Sequence, residues 1–251
     1  MDKIRFMVVS GFLGAGKTTT MIALAEYMDR NIGKTAIIAN DLGANLVDTS
    51  LTQTSGCTVA EIGNDCICYQ MDNTVDQIRR LRDKEGATFV MSDIPGCGVG
   101  ALDHVYHTLH DDNADEFTLS PFMVMVDPER LRMIMPEHAD INLPEELVYL
   151  LKLQLEEADL IVLNKIDLLD EPTIALDPVT EADLLDTLFR VLSDRTIVMV
   201  THHLQGIEHF DRVIFLEDGR IELDGSPARL ARESERFRTL LAFDRGDGRL
   251  Q

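Results

Sequence analysis

The chain has 251 residues, 45% of them hydrophobic, and a formal net charge of -21. That length can bury one large core or two modest ones, and no break in composition demands a linker, so one compact body is expected. The charge argues against nucleic acid and against an anionic membrane surface, because both are bound through clustered Lys and Arg.

Along the chain, short β-rich apolar runs alternate with helical patterns. IRFMVV, TAIIAN, TFVMSD, FMVMVD, DLIVLN, TIVMV and RVIFLE come in that order, most of them separated by enough residues for a crossover helix. This rhythm predicts an α/β fold with a mostly parallel central sheet covered on both faces, a three-layer arrangement. The opening MDKIRFMVVSG runs from a strand into a glycine motif, and no apolar run approaches the roughly 20 residues of a membrane span. A soluble, cytoplasmic protein without membrane insertion is expected.

Gly11-Phe-Leu-Gly14-Ala15-Gly16-Lys17-Thr18 satisfies the phosphate-loop pattern and stands between an apolar strand and a helix. The helix is predicted over Thr18 to Arg30, with Met21, Ile22, Leu24, Ala25 and Met28 on or near one stripe. In such a loop, backbone N–H groups wrap the phosphates, Lys17 neutralises charge on the β and γ oxygens, and Thr18 ligates Mg²⁺. Thr19 follows within the helix N-terminus and joins the nucleotide-binding set.

Further on, Ser92-Asp93-Ile-Pro-Gly96 ends the strand TFVM. Asp93 would act on Mg²⁺ through water, and the Gly96 N–H would meet the γ-phosphate, so that the turn takes two positions according to nucleotide state. A plain Asp-Pro-Gly turn is the alternative.

His104, His107 and His110 recur every third residue, with Leu102, Val105, Tyr106 and Leu109 predicted to face the core. A loose metal-binding stripe is one reading; a solvated polar face is the preferred one.

After the strand DLIVL comes Asn164-Lys165-Ile-Asp167. Its pattern is that of guanine recognition, in which the Asp carboxylate accepts from N1–H and N2–H₂, donors that adenine cannot present together. GTP is therefore the expected nucleotide.

GFLGAGKTTT, IIANDLG, GNDCICYQ, SDIPG and NKID, in that order, resemble the metal-insertion GTPases of the CobW, HypB and UreG class, over about residues 1 to 168. The resemblance implies Mg-dependent GTP binding and hydrolysis coupled to binding or delivery of a transition metal, a client metalloprotein as partner, and a face-to-face homodimer. It places an acidic switch residue near the magnesium at Asp41.

The CobW branch also carries Cys-x-Cys-Cys, whose thiolates suit an ion such as Zn²⁺ or Co²⁺; Ni²⁺ belongs to the same expectation. Here Cys66-Ile-Cys68-Tyr69 lacks the third cysteine, which Cys97 or Cys57 would have to supply. Cys97 directly follows Gly96, so movement of that turn would loosen one ligand. Buried cysteines that simply pack are the alternative.

From about Leu169 the chain is similar to the C-terminal part of ABC-transporter ATPase domains, of the exporter type linked to cytochrome bd. LLDEPTIALDPVTEADLL, TIVMVTHHL and DRVIFLEDGRIELDGSP carry the likeness. It implies Asp170 as the Walker B acid, Glu171 as catalytic base, Ala175-Leu176-Asp177 as the D-loop and His202 as the switch histidine.

No Leu-Ser-Gly-Gly-Gln signature or recognisable Q-loop accompanies them. The polar Asn164, Lys165 and Asp167 also occupy what would be a buried apolar strand.

The chain therefore looks like a chimera. Residues 169–251 are expected to complete the same sheet, through a helix near Asp183 to Leu192 and the strand TIVMV. A hairpin at VIFLE-Asp-Gly-RIEL and a final helix from about Ala228 to Phe243 would close it. Two rival functions remain: an ABC-type ATPase using ATP and Glu171, and a recombined scaffold that binds nucleotide without turnover.

Overall fold

The computed structural model describes residues 3–12, 14–41, 57–63, 66–94, 99–133, 144–165, 189–190, 192–201, 204, 206–217 and 220–244. By contact density the chain separates into two compact units, residues 1–168 with 194–200, and residues 169–193 with 201–251.

The first unit is built on parallel strands. In chain order they are β1 (Ile4–Gly11), β2 (Thr35–Asp41), β3 (Thr58–Gly63), β4 (Phe89–Asp93), β5 (Phe117–Leu119), β6 (Met123–Val126), β7 (Leu160–Leu163) and β8 (Thr196–Met199). Their spatial order is β3-β2-β4-β1-β6-β7-β8, with β5 also paired to β1 and every pairing in this sheet parallel. The parallel α/β reading is thus what the structure shows, and TIVM from the C-terminal segment joins as β8.

Burial explains the apolar runs. Phe6, Val8 and Val9 of β1 and Val124 and Met125 of β6 are fully buried, each such side chain contributing about 1.5–3 kcal/mol. β8 instead alternates between exposed and half-buried residues, as a strand with one wet face does.

β3 and β5 were not among the expected strands. β5 is three residues long, and TVAEIG mixes polar and apolar residues without a β-rich run.

Strand β1 changes partner midway, pairing with β5 at Ile4–Phe6 and with β6 at Val9–Gly11. Between the two, the Val8 N–H donates to the buried Tyr106 hydroxyl at 3.0 Å. Burial drives that phenol's pKa upward, so it stays a neutral acceptor.

The helices of this unit are α1 (Lys17–Asn31), α2 (Met71–Glu85), α3 (Thr108–Asn113), α4 (Pro128–Met133) and α5 (Glu145–Glu157). Helix α1 buries Met21, Ala25 and Met28, members of the expected stripe. A π-helical stretch, Leu102–His107, leads into α3. The stretch buries Val105 and Tyr106 and leaves His104 and His107 exposed, as α3 leaves His110.

A carboxylate from a distant helix caps that segment. Glu157 accepts from the Gly100 N–H at 2.8 and 2.9 Å and from the Ala101 N–H at 3.1 Å. Such a charge satisfies orphan donors at a helix start.

The second unit contains the expected antiparallel hairpin, β9 (Val213–Glu217) and β10 (Arg220–Gly225); its Asp218-Gly219 turn lies outside the described residues. RVIFLE therefore belongs to this hairpin and not to the parallel sheet.

The single closing helix is corrected to two, α6 (Pro227–Glu233) and α7 (Glu235–Asp244). Ser234 breaks them: its backbone is extended, and its Oγ accepts from the Phe237 N–H at 3.1 Å as the N-cap of α7. Most of the expected helix near Asp183 to Leu192 lies outside the described residues. No described helix is long and apolar enough to cross a membrane.

Candidate functional site

The phosphate-loop residues are shaped by close backbone approach. Gly11 has φ 138°, and a Cβ built on it would lie 2.0 Å from the Met125 carbonyl oxygen, so only glycine lets β1 and β6 meet there. Gly14 has φ 83° and faces open space. At Gly16, with φ 94°, a Cβ would come within 2.6 Å of Asn164 Nδ2. The loop is pinned by Phe12 N–H to Met125 O at 3.1 Å and by Ala15 N–H to Phe12 O at 3.1 Å.

Helix α1 then begins with no side-chain cap and no acidic residue in its first turn. Its terminal N–H groups and positive dipole end suit an anion. The Lys17 ammonium donates to Gly11 O at 2.9 Å and Phe12 O at 3.4 Å. Thr18 and Thr19 follow in the first turn, Thr18 half-buried and Thr19 exposed.

Asp93 ends β4 beside this loop's strand, in register with Val9 of β1. Its Oδ1 accepts the Asn40 backbone N–H at 2.8 Å, which joins the C-terminal ends of β2 and β4. The backbone of Asp41 pairs with Gly63 at the end of β2.

The base-recognition segment is joined to the phosphate loop directly. Asn164 N–H donates to Val126 O at 2.9 Å, and its side-chain Nδ2 donates to Ala15 O at 3.0 Å, across 149 residues of sequence. Lys165 takes a left-handed conformation, φ 59°, uncommon for a residue with a side chain.

The structure thus brings Gly11, Gly14, Ala15, Gly16, Lys17, Thr18, Asp93, Asn164 and Lys165 to the C-terminal ends of adjacent parallel strands, where α/β sheets bind ligands. Gly96, Asp167, Glu171 and His202 lie outside the described residues, as do Asp170 and Ala175-Leu176-Asp177.

Cys66 precedes a 3-10 turn, Ile67–Tyr69, that carries Cys68. Burial, then the hydrogen bond and charge of Cys66, push the Cys68 thiol up to about 12. Cys57, Cys66 and Cys68 form no disulfide and are half-buried. Among the described residues no three His, Cys, Asp or Glu side chains gather as a metal site; Cys97 is not one of those residues.

Sequence reasoning passed over Asn40 and the Asn164–Ala15 bond. A lone Asn at a strand end gives no periodic signal, whereas the Asn-Lys-x-Asp motif named Asn164 without saying what it holds.

The family model described as CobW/HypB/UreG, nucleotide-binding domain, matches residues 5–184. Among solved structures, Zn(II)-bound YjiA GTPase from E. coli superposes with a TM-score of 0.53 at 20% identity. The match covers 80% of this chain and 59% of that one. HypB from Helicobacter pylori in complex with nickel superposes with a TM-score of 0.53 at 13% identity, covering 78% of each chain. Both likenesses concern the fold.

A different kinship appears among curated proteins. The glutathione/L-cysteine transport ATP-binding/permease protein CydD of Bacillus subtilis is 47% identical over 77 residues, 31% of this chain and 13% of that protein. A multidrug efflux ATP-binding/permease protein of Mycobacterium bovis is 27% identical over 230 residues, 89% of this chain and 16% of that protein. The chain spans only a small part of these transporters. Their ABC-type likeness accompanies a family match covering well over half of the chain, and it is by that match that the chain belongs to the CobW/HypB/UreG nucleotide-binding family of P-loop nucleoside triphosphatases.

Proposed function

We propose that the chain binds GTP with magnesium, hydrolyses it, and uses nucleotide state to hold or release a transition metal ion. The observation that carries this reading is the Asn164 Nδ2 bond to Ala15 O, 3.0 Å, which couples a guanine-recognition motif to the phosphate cradle.

In this reading the N–H groups of Gly14, Ala15, Gly16 and the α1 N-terminus bind phosphate oxygens. Lys17 exchanges its loop carbonyls for the β and γ oxygens. The Thr18 hydroxyl and Asp93 carboxylate fit a magnesium shell: one is an uncharged oxygen at the helix start, the other an acid at the end of β4, tied in place by the Asn40 N–H.

Magnesium supplies charge neutralisation between the phosphates. In the same reading Asp41 would be the acidic switch residue, the Gly96 N–H would meet the γ-phosphate, and the Asp167 carboxylate would accept from guanine.

For the second ion, Cys66 and Cys68 are the ligand pair, with Cys97 or Cys57 as the third thiolate. The zinc bound to YjiA and the nickel bound to HypB support a borderline transition metal, Zn²⁺, Co²⁺ or Ni²⁺. Delivery to a client metalloprotein and assembly as a homodimer are parts of the same proposal.

Comparing GTP and ATP hydrolysis in the parent, Asp167→Ala and Glu171→Gln proteins tests it. Loss of GTP preference in Asp167→Ala, with turnover kept in Glu171→Gln, is the expected result. ATP preference with dependence on Glu171 would establish the ABC-type reading that the transporter matches favour. Binding without turnover of either nucleotide would leave a scaffold.

A further inference from the structure

Asn40 is 4% exposed, and neither its Oδ1 nor its Nδ2 has a hydrogen-bond partner. Burying a carboxamide unpaired is unfavourable, and native proteins rarely leave such a group without a reason. Both ends of this one are idle.

Its position narrows the reason. Asn40 is the penultimate residue of β2, at the C-terminal edge of the parallel sheet, and its own backbone N–H is held by the Asp93 carboxylate at 2.8 Å. In the register, Ser92 lies opposite Ile38 of β2 and Val8 of β1. Asn40 and Ser10 stand two residues beyond those partners, so by strand alternation Ser10, Ser92 and Asn40 share one sheet face.

Ser92 finds a partner in Ile38 O at 3.2 Å. Ser10, immediately before the phosphate loop, is fully buried with its Oγ unpartnered. On this face, then, the Ser92 hydroxyl is satisfied while the two polar groups one step closer to the loop are not.

We propose that Asn40 is a positioning residue for the triphosphate, its Oδ1 accepting from a magnesium-bound water and its Nδ2 donating toward the γ-phosphate. The inference rests on the nucleotide reading above. A carboxamide offers one acceptor and two donors without charge. That set matches a hydrated cation lying against a phosphate oxygen, and it adds no repulsion beside Asp93. GDP lacks the γ-phosphate and should hardly sense the residue.

The test uses the full chain with Asn40→Leu, a near-isosteric side chain without polar atoms. Thermal unfolding and equilibrium binding are measured with no nucleotide, with GDP and Mg²⁺, and with a non-hydrolysable GTP analogue with Mg²⁺ or EDTA.

The nucleotide-free Tm is expected to equal or exceed the parent's, because an unpaired buried amide has been removed. GDP affinity should stay within about twofold, while the analogue weakens on the order of tenfold and loses most of its magnesium dependence. Asn40→Asp keeps an acceptor but adds charge, and should weaken the analogue at least as much.

A lowered nucleotide-free Tm with GDP and analogue weakened equally would mark a purely structural role and overturn the proposal. So would unchanged analogue affinity in either variant. A parent protein that binds neither nucleotide would instead bring down the nucleotide reading, and this inference with it.

Discussion

The two units of this chain bury apolar side chains in different ways. In residues 1–168 with 194–200, whole strands such as β6 are buried, and the candidate site residues Asp93 and Asn164 are held at strand ends by bonds to backbone. Among the described residues of 169–193 with 201–251, a small buried cluster is formed by Ile207, Leu230 and Phe237, with Leu204, Val213, Leu223, Ala231 and Leu241 packed against it. The other hairpin face leaves Ile214 48%, Leu216 63% and Ile221 62% exposed.

Arginines help to staple this second unit. Arg212 grips Asp224 with two bonds of 2.7 Å, and Arg236 lies 5.5 Å from the Phe215 ring centre. The described residues of the phosphate loop, with Asp93 and Asn164, lie in the first unit, whereas the hairpin that shares its sequence with transport ATPases lies in the second.

Lys17→Ala should break the comparison most sharply. It removes the ammonium from the loop, and GTP turnover is expected to fall on the order of a hundredfold to a thousandfold, read by steady-state phosphate release. A comparable loss on changing Glu171 would transfer the chemistry to the second unit.

Phe237→Ala empties the centre of the smaller core and should cost about 3–5 kcal/mol in that unit, measured by chemical denaturation. GTP affinity is expected to stay within about twofold if the first unit alone carries the site.

Smaller still is the effect of Glu116→Gln. Hydrogen bonds from Arg79 at 2.6 and 3.2 Å and from Arg82 at 3.0 Å hold the Glu116 carboxyl down to about 2. A depressed carboxylate adds stability above its unfolded pKa of about 4.5 and loses it as the pH falls toward 2. Partly exposed pairs of this kind contribute about 1 kcal/mol. The parent should thus exceed the variant by that amount at neutral pH, and denaturation curves should converge as the pH drops from about 4.5 to about 2.

Much of the first unit was legible in the sequence because its signals are local. The glycine loop needs positive φ angles at Gly14 and Gly16, and the buried strands need unbroken β-rich runs; both leave marks within a few residues. Strands β3 and β5 left none, since their place is fixed by neighbours and not by their own pattern.

The break at Ser234 was written in Ser-Glu-Arg-Phe as an N-cap, but the apolar spacing through Leu230, Phe237 and Leu241 reads as one continuous stripe. Contacts across long stretches of chain are a different matter. The Asn164 bond to Ala15 and the orphaned amide of Asn40 depend on which strand ends become neighbours, and that follows only from the assembled sheet.

The central claim is that the phosphate cradle and the Asn164-Lys165-Ile166-Asp167 motif together make a guanine site. Its most direct test is equilibrium competition: fluorescent GTP analogue bound to the full chain with Mg²⁺, challenged with unlabelled GTP or ATP. The account predicts that GTP displaces the probe and that ATP at the same concentration leaves it bound. Equal displacement by ATP, or no binding of the probe at all, would contradict it.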